Sequence, residues 1–110
     1  MNWIKLENED QINEIKNDAG YSIIFKHSTR CSISMMAKKR VEMDADVLPQ
    51  DIKSYFLDLI AYRNLSGLIA ETFQVHHESP QLLLIKNGEC LLDQSHGDIS
   101  IEETVEVVQA

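Results

Sequence analysis

The stretch Tyr21-Ser-Ile-Ile-Phe-Lys-His-Ser-Thr-Arg-Cys-Ser-Ile-Ser34 decides how the chain folds. Tyr21 to His27 is a short β-rich apolar run of buried-strand length. Ser28-Thr29 then offers two hydroxyls able to accept from the free N–H groups of a first helical turn beginning near Arg30. Beyond it Ile33, Met36, Ala37 and Val41 recur at helical spacing, with Lys38, Lys39 and Arg40 toward the C-terminal half, where cations suit the helix dipole. A strand therefore runs into a helix, and Cys31 stands at the junction.

On the N-terminal side, Asn8 to Asp18 places Ile12 and Ile15 among polar residues at helical spacing, and Ala19-Gly20 supplies a stop, so a short amphipathic helix is expected. On the C-terminal side, the acidic Glu42 to Asp46 and Pro49 end the helix that follows Cys31. Ile52 to Ala61 holds a strand in its middle, Ser54 to Asp58. Asn64 or Ser66 begins a further helix with Leu65, Leu68, Ile69, Thr72 and Phe73 on one face. Ser79-Pro80 breaks the chain before Gln81 to Lys86, a continuous apolar strand of the buried kind. Asn87-Gly88 is a strong hairpin signal and pairs that strand antiparallel with Glu89 to Gln94. Ile101 to Val108 closes the chain as a helix. The order predicts one α/β domain over residues 1–110, with a mixed four-stranded sheet flanked by helices on both faces, and it resembles the thioredoxin-like fold.

Composition narrows the function. The 110 residues are 44% hydrophobic and 25% charged, the balance of a globular domain that buries a core without a disulfide or metal staple. Eighteen acidic against ten basic residues give a formal charge of −8, which opposes binding to nucleic acid and to anionic membranes. The N-terminus turns acidic where a secretory signal carries its apolar stretch, and no apolar run approaches the ~18 residues of a membrane span. A cytoplasmic protein is the expectation. The charge is uneven: Lys26 to Arg40 holds five of the ten basic side chains and no acid, leaving the other 95 residues at a formal −13. Cys31 lies inside this basic island.

The junction has the parts of a nucleophilic thiol site. Free N–H groups and the positive end of a helix favour a negative sulfur, and Lys26, His27 and Arg30 can add positive potential. Ser34, three residues on, can donate its hydroxyl to the thiolate. Together these lower a thiol pKa and mark Cys31 as reactive. A dithiol oxidoreductase needs a second cysteine three positions on, and here that position is Ser34. A Cys-x-x-Ser site can attack a mixed disulfide and keep the small thiol, but a further thiol must release it. Cys90, the other cysteine, is expected far from the turn and buried. A cis Pro80 would present the backbone of Ser79 beside the thiol, where an extended substrate could pair as an added strand. His76-His77 lacks metal-ligand spacing and reads as a surface or loop pair, so no metal is expected. Trp3 and Phe25 read as packing residues.

The run Phe25 to Ser34, with His77-Glu-Ser-Pro-Gln81, Lys86-Asn-Gly88 and Ser95-His-Gly-Asp-Ile99, resembles the bacillithiol-system YtxJ proteins, the monothiol bacilliredoxins of the thioredoxin superfamily. The resemblance runs from about Trp3 to Val107. Ser32 is a departure, since members usually carry proline there. The resemblance implies removal of bacillithiol from S-thiolated client proteins. Cys31 and Ser34 would be the catalytic pair, and Thr29, Arg30, Ser79 and Pro80 would contact substrate. Bacillithiol or another low-molecular-weight thiol would be the co-substrate, and no bound cofactor is needed. Three other readings compete: an exchanger using glutathione or coenzyme A, a non-catalytic client-binding module, and an iron–sulfur carrier that completes four thiolates from two chains and two external thiols.

Overall fold

The computed structural model of residues 1–110 contains one strand more than the sequence pattern predicts. Trp3–Lys5 forms β1 and pairs in parallel with β3 (Lys53–Asp58), so the sheet has five strands, not four. Three residues are too few to show a period-2 alternation. Side-chain packing holds β1 in place: the Trp3 ring lies 5.7 Å from Phe25 and 5.8 Å from Phe56, and its Nε1 donates to Glu42 at 3.0 Å.

The remaining elements follow the expected order. They are α1 (Glu9–Asn17), β2 (Tyr21–His27), α2 (Ser32–Met43), α3 (Arg63–Phe73), β4 (Gln81–Lys86), β5 (Glu89–Ser95) and α4 (Ile101–Gln109), with β3 between α2 and α3. The sheet runs β1-β3-β2-β4-β5; β2 is parallel to β3 and antiparallel to β4. Asn8 caps α1 in a reciprocal box with Gln11, and the Ser100 hydroxyl caps α4 by accepting from Glu103 N–H. Two cores sandwich the sheet. Ile12, Ile15, Leu65 and Ile69 of α1 and α3 cover one face, while Ala37, Val41, Ile101 and Val105 of α2 and α4 cover the other. The central β2 and β4 meet both cores, which is why their sequences are continuously apolar.

Helix α2 departs from the expected register. It begins at Ser32, and its buried stripe is Ser34, Ala37 and Val41, whereas Ile33 and Met36 are 59% and 64% exposed. Apolar spacing places Ala37 and Val41 in the core but not Ile33 and Met36, because the buried Ser34 occupies the core position in the first turn. Ser28 and Thr29 make no cap; Cys31 itself is the N-cap residue.

Lys26 is fully buried on the opposite face of β2 from Phe25 and His27. Its ammonium reaches the Ser66 carbonyl at 3.4 Å and His77 Nδ1 at 3.3 Å, and the latter also lies 3.0 Å from Ser66 Oγ. No carboxylate pairs with it. Burial pulls the Lys26 pKa from 10.5 down to about 8. Burial, followed by the Lys26 charge, lowers the pKa of His77, so Nδ1 serves as an acceptor. Beside Lys26, its register partner Gln81 accepts from Glu78 N–H at 3.4 Å and donates to the His76 carbonyl at 3.0 Å. The segment before β4 is thus seated on buried polar side chains.

Asn87 and Gly88 connect β4 to β5 with φ of 52° and 77°, the conformation a two-residue hairpin demands. A Cβ on Gly88 would meet the Lys16 carbonyl at 2.9 Å. Gly88→Ala is therefore expected to cost about 1–3 kcal/mol in urea denaturation. A lysine whose folded pKa is depressed binds fewer protons in the folded state between pH 8 and 10.5, so its contribution to stability rises across that window. Wild type should gain about 3 kcal/mol on Lys26→Met between pH 7.5 and 10.5; parallel stability profiles would rule this out.

Candidate active site

The site forms where β2 ends. Leu59 N–H binds the His27 carbonyl at 2.9 Å, and Cys31 N–H turns back to the Ser28 carbonyl at 3.2 Å. That turn carries Thr29 and Arg30 at its exposed tip and sets half-buried Cys31 at the head of α2. The Cys31 carbonyl accepts from Met35 N–H at 3.0 Å, closing the first helical bond. No acidic residue occupies the first turn and no side chain caps it. The unfilled amides there are available to a sulfur anion on Cys31.

Ser34 is placed differently from the sequence expectation. Its buried Oγ accepts from Ser28 N–H at 3.0 Å and lies 2.6 Å from His27 Nδ1. Burial, then the Lys38 charge, lowers the His27 pKa against the opposing effect of the Ser34 contact. Both effects disfavour the imidazolium, and the Ser34 Oγ–His27 Nδ1 hydrogen bond takes its direction from the imidazole tautomer. The hydroxyl that was expected to reach the Cys31 sulfur instead ties β2 to α2.

The basic island also disperses on folding. Lys26 is buried toward α3, His27 is neutral, and Lys38 sits 5.7 Å over the Phe56 ring while pairing with Glu42 at 3.4 Å. Arg40 donates to the His96 carbonyl at 2.9 Å. Of the cations near Cys31 in sequence, exposed Arg30 shares its turn.

The Ser79–Pro80 peptide is cis. The β2–β4 register pairs Lys26 with Gln81. The pairing ends there, so Ser79 and Pro80 enter β4 at the same end of the sheet where β2 runs out into the Cys31 turn. Pro80 is buried, and Ser79 Oγ is enclosed with no hydrogen-bond partner. On the other side, His96 N–H binds the Pro80 carbonyl at 3.0 Å, bringing the β5–α4 connection alongside. The chain thus gathers the Cys31 turn, the Ser79-Pro80 edge and His96 at one end of the sheet.

Cys90 stands at the other end. It pairs with Ile85, four residues along β4 from Gln81, which is ~14 Å at the usual strand rise. Its half-buried Sγ donates to the Leu92 carbonyl at 3.4 Å; burial first, and Asp93 second, push its pKa up to about 11. His76 is exposed and His77 faces Lys26; no three His, Cys, Asp or Glu side chains gather as a metal site. Sequence reasoning missed the pairing of His27 with Ser34, whose only signal was a polar residue at the strand's end and another in the helix's first turn. It also missed Glu78 and His96, which meet across Pro80 through contacts that spacing does not reveal. No helix is long and apolar enough to cross a membrane.

Solved structures share this architecture. One described as a proposed oxidoreductase with a thioredoxin fold is 32% identical, with a TM-score of 0.84 over 96% of this chain and 93% of that one. The thioredoxin of Trypanosoma brucei brucei is 12% identical, with a TM-score of 0.78 over 99% and 93% of the two chains. The thioredoxin of Malassezia sympodialis is 16% identical, with a TM-score of 0.73 over 96% and 87%. These last two show the fold alone. The family model for "Monothiol bacilliredoxin BrxC" matches residues 4–104. With a thioredoxin fold and a Cys-x-x-Ser turn at the head of α2, the chain belongs to the monothiol bacilliredoxin family and has a thiol redox role.

Proposed function

We propose that the protein removes a low-molecular-weight thiol, bacillithiol in the family's chemistry, from mixed disulfides on client proteins. The observation that carries this reading is the lone cysteine at the head of α2. Ser34, hydrogen-bonded to Ser28 and His27, fills the resolving position with a hydroxyl in place of a thiol, and Cys90 is half-buried at the far end of the sheet.

The exchange balances without an added oxidant or reductant. The Cys31 thiolate attacks the small-thiol sulfur of the client mixed disulfide, the client sulfur leaves with the electron pair and takes a proton from solvent, and a Cys31 mixed disulfide remains. A second thiol attacks that disulfide and frees Cys31. Amides at the start of α2 stabilise the thiolate, and the Ser79 backbone offers hydrogen bonds to an extended client segment. Thr29 and Arg30, at the tip of the same turn, border the incoming substrate. Exposed Ile33 and Met36 give the client an apolar contact next to the sulfur. S-thiolated proteins are thus the partners, and the small thiol is a co-substrate, not a resident cofactor.

The test is a release assay on a client carrying a bacillithiol mixed disulfide. Cys31→Ser should abolish release, whereas Cys90→Ser should stay within about twofold of wild type, since a thiol held protonated at neutral pH is a poor nucleophile. Loss of activity in Cys90→Ser would replace the monothiol route with an internal dithiol one, and full activity in Cys31→Ser would remove Cys31 from the chemistry.

A further inference from the structure

Helix α2 turns its large apolar side chains outward. The stripe facing the sheet is Ser34, Ala37 and Val41, whereas Ile33, Met35, Met36 and Met43 are 59%, 56%, 64% and 71% exposed. Four of the eight large hydrophobic side chains that the protein exposes therefore lie on this one helix. Helices α1 and α4 present acids to solvent instead, Glu9, Asp10 and Glu14 on the first and Glu102, Glu103 and Glu106 on the second. A helix needs one apolar stripe to join a core, so a second one facing water marks a surface made for contact.

The outward residues are ordered along the helix. Ile33, Met36, Arg40 and Met43 follow at spacings of three and four and form one row, with Lys39 beside it. The row starts two residues after Cys31, the N-cap, and ends at Met43, about 18 Å along at 1.5 Å per residue. Lys39 is exposed and enters no ion pair, and Arg40, although it holds the His96 carbonyl at 2.9 Å, keeps its charge at the surface. Glu42 is turned aside to Lys38 and Trp3. No acid lies between Lys26 and Val41, in a chain whose other residues carry a formal −13. The face is thus apolar and basic on an acidic protein, and its methionines adapt to partners of differing shape.

We propose that the outer face of α2 docks the client segment adjoining the thiolated cysteine, and that the segment it fits carries apolar side chains flanked by Asp or Glu. This deepens the exchange reading above and rests on it, adding a client preference. With the client sulfur at Cys31, an extended segment reaches from the head of the helix to Met43 in about five or six residues. Its apolar side chains cover Ile33, Met36 and Met43, and its carboxylates meet Lys39 and Arg40 at the rim, where charge governs partner choice and encounter rate.

Two peptides of equal length test this. Each has one cysteine as its bacillithiol mixed disulfide and the same neighbouring leucines, with Glu beside them in one peptide and Lys in the other. Wild type should release bacillithiol from the acidic peptide with about tenfold higher kcat/KM, the scale of two exposed attractions set against two repulsions. The mean field of a chain at −8 favours the basic peptide, so the docking face and the net charge predict opposite signs. Lys39→Glu should abolish the preference, whereas Lys16→Glu, the same change of charge on α1 across the sheet, should keep it. Met36→Ser should raise KM for the acidic peptide about fourfold, the scale of one buried methylene, and Met36→Leu should restore it. Equal rates, faster release from the basic peptide, or an acidic preference that survives Lys39→Glu would overturn the docking face. Self-association that shifts the α2 amides without peptide would give the face to a second copy and overturn it too. If neither peptide is released, the exchange reading fails and binding decides. Peptides with serine in place of the thiolated cysteine, titrated into Cys31→Ser protein, should then shift the Ile33, Met36 and Lys39 amides in NMR spectra with the acidic sequence alone, and equal or absent shifts would overturn the proposal.

Discussion

The Ser34 hydroxyl, 3.0 Å from Ser28 N–H and 2.6 Å from His27 Nδ1, is the contact on which the site depends. It joins the end of the central strand to the first turn of the helix that carries the nucleophile. The buried hydroxyl is engaged by both groups and fastens the helix start to the strand end. The serine of this Cys-x-x-Ser turn is thus a structural tie as well as the absence of a second thiol. His27 is held in turn by its ring contacts with Phe25 at 5.9 Å and Phe56 at 5.4 Å. The line from Trp3 through the aromatic cluster to Ser34 links an edge strand to the active turn.

The other half of the site depends on β4. Its first residue, Gln81, holds the backbone at His76 and Glu78, and the fully buried Lys26 supports His77 from β2. An uncompensated buried lysine is a costly way to brace a loop. It places a polar seat directly beneath the edge that carries Ser79 and Pro80. The same loop then meets His96, so residues distant in sequence converge where only Cys31 supplies a nucleophile.

Much of this was legible in the sequence, and the reasons differ by element. Asn87-Gly88 specified its hairpin because left-handed φ values are a local requirement that those two residues meet. The apolar runs of β2 and β4 specified central strands because both faces are covered. Trp3–Lys5 was illegible because three residues carry no period, and its pairing depends on aromatic contacts with β2 and β3. The first turn of α2 was misread because hydrogen bonds to Ser28 and His27, which hydrophobic spacing does not register, seat Ser34 in the core position and leave Ile33 exposed. The basic island was visible as a count, but strand alternation sent Lys26 and His27 to opposite faces and burial left His27 neutral. Cys31 at a strand–helix junction was legible because covalent order alone places it there.

The central claim is that one thiol performs the exchange and has no internal partner to resolve it. Intact-protein mass spectrometry after reaction with a client carrying a bacillithiol mixed disulfide tests it most directly. One bacillithiol should be added to the protein, mapped by peptide analysis to Cys31 and stable until an external thiol is supplied. A disulfide between Cys31 and Cys90 with no retained adduct would contradict it, as would an unmodified protein.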